Sequence, residues 1–188
     1  MNERMPPLPA GKMTAAQREA AEEMTAGPRK GVKGPFVPLL RSPELMDRLQ
    51  RVGEYLRFGS SLDQRISEFI MLVVSREWTQ QFEWFTHVPL GRKAGIAEET
   101  IAALAEGRRP PAMSEPEQVA YDFCEELFRT RGVCDTTYRR AVAAFGENGV
   151  IDMIGVAGYF TTVSMVMNVA HSPASEDHAV RALAPYPL

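Results

Sequence analysis

Sulfur has little to do in this sequence. Among 188 residues there are two cysteines, Cys124 and Cys134. They are too far apart for a Cys-x-x-Cys redox pair, and too few for a disulfide scaffold or an all-cysteine zinc site. Cys124 sits in a strongly helical stretch and reads as a small core hydrophobe. Basic runs are also missing. Lys and Arg total 21 against 24 Asp and Glu, a net charge of −3, with an isoelectric point near 5.7. That leaves no electrostatic footprint for nucleic acid. The opening residues, Met1 to Pro9, lack the apolar centre of a secretory leader, so the expectation is a reduced, cytoplasmic protein. No strand alternation and no internal repeat can be found.

What is present suits a folded globule. The hydrophobic share of 45% and charged share of 24% exclude disorder, and the length suits one domain with a full core. Residues 1–12 read as an extended arm rich in proline. Thr14 with Gln17 is a capping box that starts a helix over 15–25. Glycines and prolines from Gly27 to Pro38 predict no regular structure until about Leu39. Ser42-Pro43 should cap and open a helix over 43–58. Asp63 should cap the next, with a break near Glu77–Thr79 and Thr79 capping a further helix that ends at Gly95. Helices over 97–106, 116–130, 136–144 and 149–170 complete an all-α chain. The last is apolar enough to approach a membrane span, but Asp152, Thr161, Thr162, Ser164 and Asn168 interrupt it. It reads as a buried or subunit-interface helix, with no membrane partner. The organisation expected is an arm and first helix (1–33), a helical domain (34–171) and a tail (172–188).

Three histidines can be weighed. His178 lies in a polar stretch and reads as solvated. His171 follows the last helix and suits its negative end. His87 ends the run Gln80-Gln-Phe-Glu83-Trp84-Phe-Thr-His87. Gln80, Glu83, Trp84 and His87 share one arc of a helix. Glu83 and His87 are four apart, so carboxylate and imidazole can touch. Such a contact raises the imidazole pKa and lets the pair hold and move a proton near neutrality. The plain alternative is an exposed ion pair. Glu68 opens the apolar run Phe69 to Val74 and needs a buried partner. It would reach His87 if the two helices pack antiparallel, or else pair with Arg65 or Arg76. A metal set is not expected, because di-iron carboxylate sites repeat Glu-x-x-His on two helices, and neither that spacing nor a second copy occurs here.

The ordered set Glu68-Phe-Ile-Met-Leu-Val-Val, Glu83-Trp84-Phe-Thr-His87, Arg92-Lys-Ala-Gly95-Ile and Ile101-Ala-Ala-Leu resembles the core of the carboxymuconolactone decarboxylase family, which includes the alkylhydroperoxidase D-like proteins. Gly34-Pro35-Phe36 with Leu39 to Pro43, and Gly158-Tyr159-Phe160 with Val163 and Asn168, agree over about 34–171. The resemblance implies helical hairpins that assemble as homo-oligomers (dimer, trimer or hexamer). Its peroxidase-like branch uses a Glu, a Cys-x-x-Cys pair and a His. Glu68 and His87 match the Glu and the His, while the cysteine positions fall on Gln80 and Glu83, which cannot act as a dithiol. Its decarboxylase branch works without metal or organic cofactor on a small unsaturated lactone acid of aromatic catabolism.

The expectation is therefore a cofactor-free lyase or isomerase acting on a small organic acid. His87 would be the acid/base, Glu83 its orienter and Glu68 a second relay carboxylate. Backbone N–H groups near Gln80 would hold a substrate carboxylate, and Trp84 and Tyr159 would wall the pocket. Two alternatives stand beside it. One is a binding or oligomer-forming relative without catalysis, its methionines (Met153, Met165, Met167) forming an adaptable surface. The other is peroxidase work through Cys124 or Cys134.

Overall fold

The computed structural model describes residues 2–27, 29–174 and 179–184. Among these there are eight α-helices and no strand. A short 3₁₀ turn, Ala10–Lys12, precedes α1 (Ala15–Ala26), α2 (Phe36–Leu39), α3 (Pro43–Phe58), α4 (Gln64–Glu77), α5 (Gln81–Lys93), α6 (Glu98–Ala105), α7 (Glu115–Thr130) and α8 (Asp135–Ala170).

Helix α4 is the axis of the molecule. Every residue from Ile66 to Arg76 is buried, as an apolar stripe widened all round requires. It packs against α5, α6, α7 and α8. Asp63 caps it through Arg65 N–H, as its sequence position predicts. The α1 capping box is also present, with Thr14 and Gln17 bonded reciprocally.

The break between α4 and α5 falls where expected, but its chemistry differs. Thr79 is not a cap. It takes a left-handed conformation (φ 48°), closing α4 with Thr79 N–H donating to the Arg76 carbonyl and Gln80 N–H to that of Ser75. This paired hydrogen-bond pattern usually employs glycine; a β-branched residue there costs roughly 1–3 kcal/mol. Gln80 then caps α5, accepting from Phe82 N–H. Its amide donates to Asn168 (2.8 Å), which itself donates to the Trp78 carbonyl (2.9 Å). Helix α8 thereby fixes the turn.

Two further expectations are corrected. Ser42 makes no side-chain cap bond at α3; Pro43 alone marks that start. Phe36–Leu39 forms one helical turn in the segment expected to be irregular, because Pro38 lies where no N–H is yet needed. The two helices expected over 136–144 and 149–170 are both present within α8, parted where expected by a kink at Gly146 (φ 70°, ψ 171°). Beyond that kink Asp152 is buried. It accepts from Tyr55 Oη, Ser60 Oγ, Ser61 N and Ser61 Oγ at 2.8–3.1 Å, tying the α3–α4 loop to α8.

Both ends of the chain pack on this frame. Arg4 N–H donates to the Ala170 carbonyl, and Arg41 to that of Pro6. Val180 and Leu183 are buried, and Gln81 exchanges two hydrogen bonds with Leu183.

Candidate functional site

Residues 68 and 87 lie about equally far from the Trp78–Thr79 turn, so folding α4 back on α5 brings them face to face. Imidazole Nδ1 of His87 donates to Oε2 of Glu68 at 2.7 Å. Its Nε2 stands 3.3 Å from Oε2 of Glu83, one turn earlier on α5. All three residues are buried: His87 is 2% exposed, Glu68 3% and Glu83 4%. The exposed ion pair and the pairing of Glu68 with Arg65 or Arg76 are thereby replaced. Arg65 binds Glu117, and Arg76 donates to the carbonyls of Ala105 and Ala184.

Burial by itself would lower the imidazole pKa. The hydrogen bonds and charges of Glu68 and Glu83 outweigh it, and the net shift is upward. The cationic form, donor at both nitrogens, is the one this cradle favours. The edge of Phe160 meets the ring at 5.1 Å and 84°, so the imidazole is held on its apolar side as well.

A cavity of about 380 Å³ opens beside this cluster, within the range of small-ligand sites. His87 and Glu83 line it; Glu68 lies behind them. Phe36, Phe58, Phe82, Tyr159, Phe160 and Val163 give it apolar walls, and Arg29, Lys33, Glu54 and Arg57 put charge at its mouth. Tyr159 reaches this wall because Gly53 leaves room: a Cβ there would lie 2.4 Å from the phenol oxygen. Burial raises the Tyr159 pKa, opposed in part by Arg29, so the phenol keeps its proton.

The sequence-predicted residues thus separate into two groups. Glu83, His87 and Tyr159 line the cavity, and Glu68 backs His87. Gln80 and Trp84 are not among its walls. Gln80 is engaged in the turn, and its side chain takes the Phe82 N–H that was expected to receive a substrate carboxylate. Trp84 faces the core, where Nε1 donates to the Arg181 carbonyl under the returning tail. Arg29, Lys33 and Arg57 were missed. Their only sequence signal is a pair of cations inside a glycine- and proline-rich loop, and one on α3. His171 occupies the left-handed C-cap of α8, its Nδ1 donating to the Asn2 carbonyl at 3.3 Å; His178 lies outside the described residues. Cys124 is fully buried, its thiol pushed up to about 12. Cys134 is exposed at the start of α8. Neither lines the cavity.

Comparison with known proteins agrees with this fold. No functionally curated protein matches the sequence. Among solved structures, a protein of unknown function from Agrobacterium tumefaciens, described as a candidate antioxidant defence protein AhpD, superposes with a TM-score of 0.64. Its identity is 20%, covering 74% of this chain and 96% of that one. An uncharacterized peroxidase-related protein from Silicibacter sp. TM1040 gives a TM-score of 0.69 at 16% identity, covering 91% of each chain. These likenesses establish the all-helical alkylhydroperoxidase D-like fold. The family model for carboxymuconolactone decarboxylases matches residues 43–126. That stretch runs from the first turn of α3 into α7 and includes Glu68, Glu83 and His87.

Proposed function

We propose that this protein is a cofactor-free lyase or isomerase that moves a proton on a small organic acid, in the manner of a decarboxylase. One observation carries the reading: a buried imidazole between two carboxylates, one of which opens with it onto a ligand-sized cavity. Glu68 holds Nδ1 and fixes the ring's tautomer, as carboxylate partners of histidine do. Nε2 and Glu83 present the mobile proton to the cavity. When a carboxylate leaves as CO₂, the C–C bond electrons stay on the substrate as an extended enolate. The proton on Nε2, or on Glu83, then passes to the terminal carbon, and solvent restores it. A double-bond shift uses the same pair in both directions, first as base and then as acid.

The apolar walls suit such a step, since they exclude water from the carbanion. Peroxidase chemistry lacks a matching arrangement in this chain. The positions expected for a dithiol carry Gln80, bound into the turn, and Glu83, bound to His87. In Cys124 the thiol is kept protonated by burial. The small-acid partner, the homo-oligomeric state and a role in aromatic catabolism belong to this same proposal.

The test is turnover of unsaturated lactone acids and small conjugated carboxylic acids in D₂O, followed by CO₂ release and by deuterium entry at carbon. Wild type should turn over at least one member, and His87→Gln should lose about 10²–10⁴-fold. Retention of activity within a few-fold in that variant removes His87 from the mechanism. Binding of the same acids without CO₂ release or deuterium entry would favour the non-catalytic alternative.

A further inference from the structure

The cations at the cavity mouth have no part in proton transfer, and their placement needs a reason. Arg29 and Lys33 come from the loop before α2, and Arg57 from the last turn of α3. Arg29 is half-buried. Its guanidinium carbon lies 4.5 Å from the centre of the Phe36 ring, its charge acts on the Tyr159 phenol, and Nη2 donates to the Gln50 carbonyl at 3.5 Å. Among the described residues, no carboxylate lies within ion-pair distance of Arg29, Lys33 or Arg57. Exposed Glu54 also lines the mouth and opposes them in charge, but it pairs with none. A guanidinium keeps its proton at any ordinary pH. Drawing one out of water without an anion is costly.

The loop that presents Arg29 and Lys33 is built to sit there. Gly34 has φ 55°, and a Cβ at that position would lie 2.3 Å from the Phe82 ring. Only glycine permits both the left-handed turn and the close approach. The loop therefore rests on Phe82 of α5, one residue before Glu83, and hangs its cations over the cavity. The hollow is lined by the acid–base pair Glu83 and His87, by the cations Arg29, Lys33 and Arg57, and by aromatic rings.

We propose that Arg29, with Arg57 and Lys33, clamps the carboxylate of a planar, ring-sized organic anion whose ring lies among Phe36, Phe58, Phe82 and Phe160 and whose far edge reaches Glu83 and His87. The clamp rests on the reading of this hollow as a substrate site, but it requires no turnover. Arg29 and Lys33 precede the family-matched residues 43–126. Recognition of the anion is then an addition made by this chain's own N-terminal loop, while the proton-transfer groups come from the shared core.

Calorimetric titration of the full chain with benzoate and with benzamide, its neutral isostere, tests the clamp. Benzoate carries no group that leaves under these conditions, so its binding is read independently of turnover, and failure of one reading leaves the other measurable. Benzoate should bind at least about tenfold more tightly than benzamide. Arg29→Gln should erase most of that difference through loss of benzoate affinity alone, as removal of a charge-assisted hydrogen bond does. Glu54→Gln should tighten benzoate a few-fold, by removing a like charge. Equal affinity for the two probes, no benzoate binding, or benzoate affinity unchanged in Arg29→Gln overturns the clamp. Should Arg29→Gln fail to fold, as judged by thermal unfolding, Arg57→Gln carries the same comparison: lost benzoate affinity supports the clamp, and unchanged affinity overturns it.

Discussion

Two buried carboxylate clusters meet α4 one turn apart, at Arg65 and at Glu68, and they are built to opposite ends. Glu117 is fully buried and accepts from Arg65 Nε and Nη2 and from the backbone and side chain of Ser114, at 2.7–3.1 Å. One negative charge meets one positive charge, and Glu117 does not line the cavity beside His87. Three residues along, Glu68 meets His87, which also meets Glu83. There, two carboxylates share one imidazole, and the group is bounded on one side by open space. The lesson is that burial and ion pairing do not mark a functional site. A cluster whose charge is already balanced gains nothing from titration, and serves stability. One with an excess acid beside a hollow can take up and release a proton at little structural cost.

That contrast can be broken by mutation. The largest effects should come from exchanging the acids. Glu117→Ala should cost about 2–4 kcal/mol in urea unfolding, since it strands Arg65 and dissolves the α7 capping box; the loss is limited because a third of the Arg65 side chain is exposed. The His87 titration, read by imidazole NMR, should stay raised in that variant. Glu68→Gln should do the reverse: the imidazole pKa falls, turnover drops by about 10²-fold or more, and stability changes less than in Glu117→Ala. A fall in the His87 pKa in both variants would erase the distinction.

A smaller effect is expected from pH. The folded pKa of His87 lies above its ordinary value of 6.5. Its contribution to stability is therefore complete below about pH 6.5 and disappears as pH rises through the folded pKa. The stability advantage of wild type over His87→Gln should shrink between pH 6 and pH 9. An advantage that grows over this range would mean the buried ring is held neutral.

The smallest effect concerns the cavity wall. In an open helix, Gly53→Ala would gain about 1 kcal/mol. Here the new methyl meets the Tyr159 hydroxyl, and crowding of this kind costs about 1–3 kcal/mol. A net loss near 1 kcal/mol is expected, with weaker benzoate binding as Tyr159 shifts. Net stabilisation would show that Tyr159 is free to move aside.

Several of these features were readable before folding, and for local reasons. Thr14, Asp63 and Gly95 act on backbone groups within four residues, so their roles follow from sequence. The pairing of Glu83 with His87 is likewise a matter of helical spacing. Thr79 misled because a threonine ahead of a helical run signals a cap; the left-handed bend it adopts depends on Asn168, 89 residues later, holding the Trp78 carbonyl and the Gln80 side chain. Trp84 misled for a similar reason. It shares an arc with His87, but the returning 179–184 segment supplies an acceptor and closes that side.

The sequence by itself determined the helices, most of their ends and the one imidazole with a carboxylate one turn before it, because these rest on spacing along a single element. Only the tertiary structure decided that Glu68 completes the cluster, that the cluster borders a hollow, and that Arg29 lines it from outside the family-matched stretch. Those facts depend on which faces of distant segments meet, and the packing of α4 against its neighbours sets that. No local pattern encodes it.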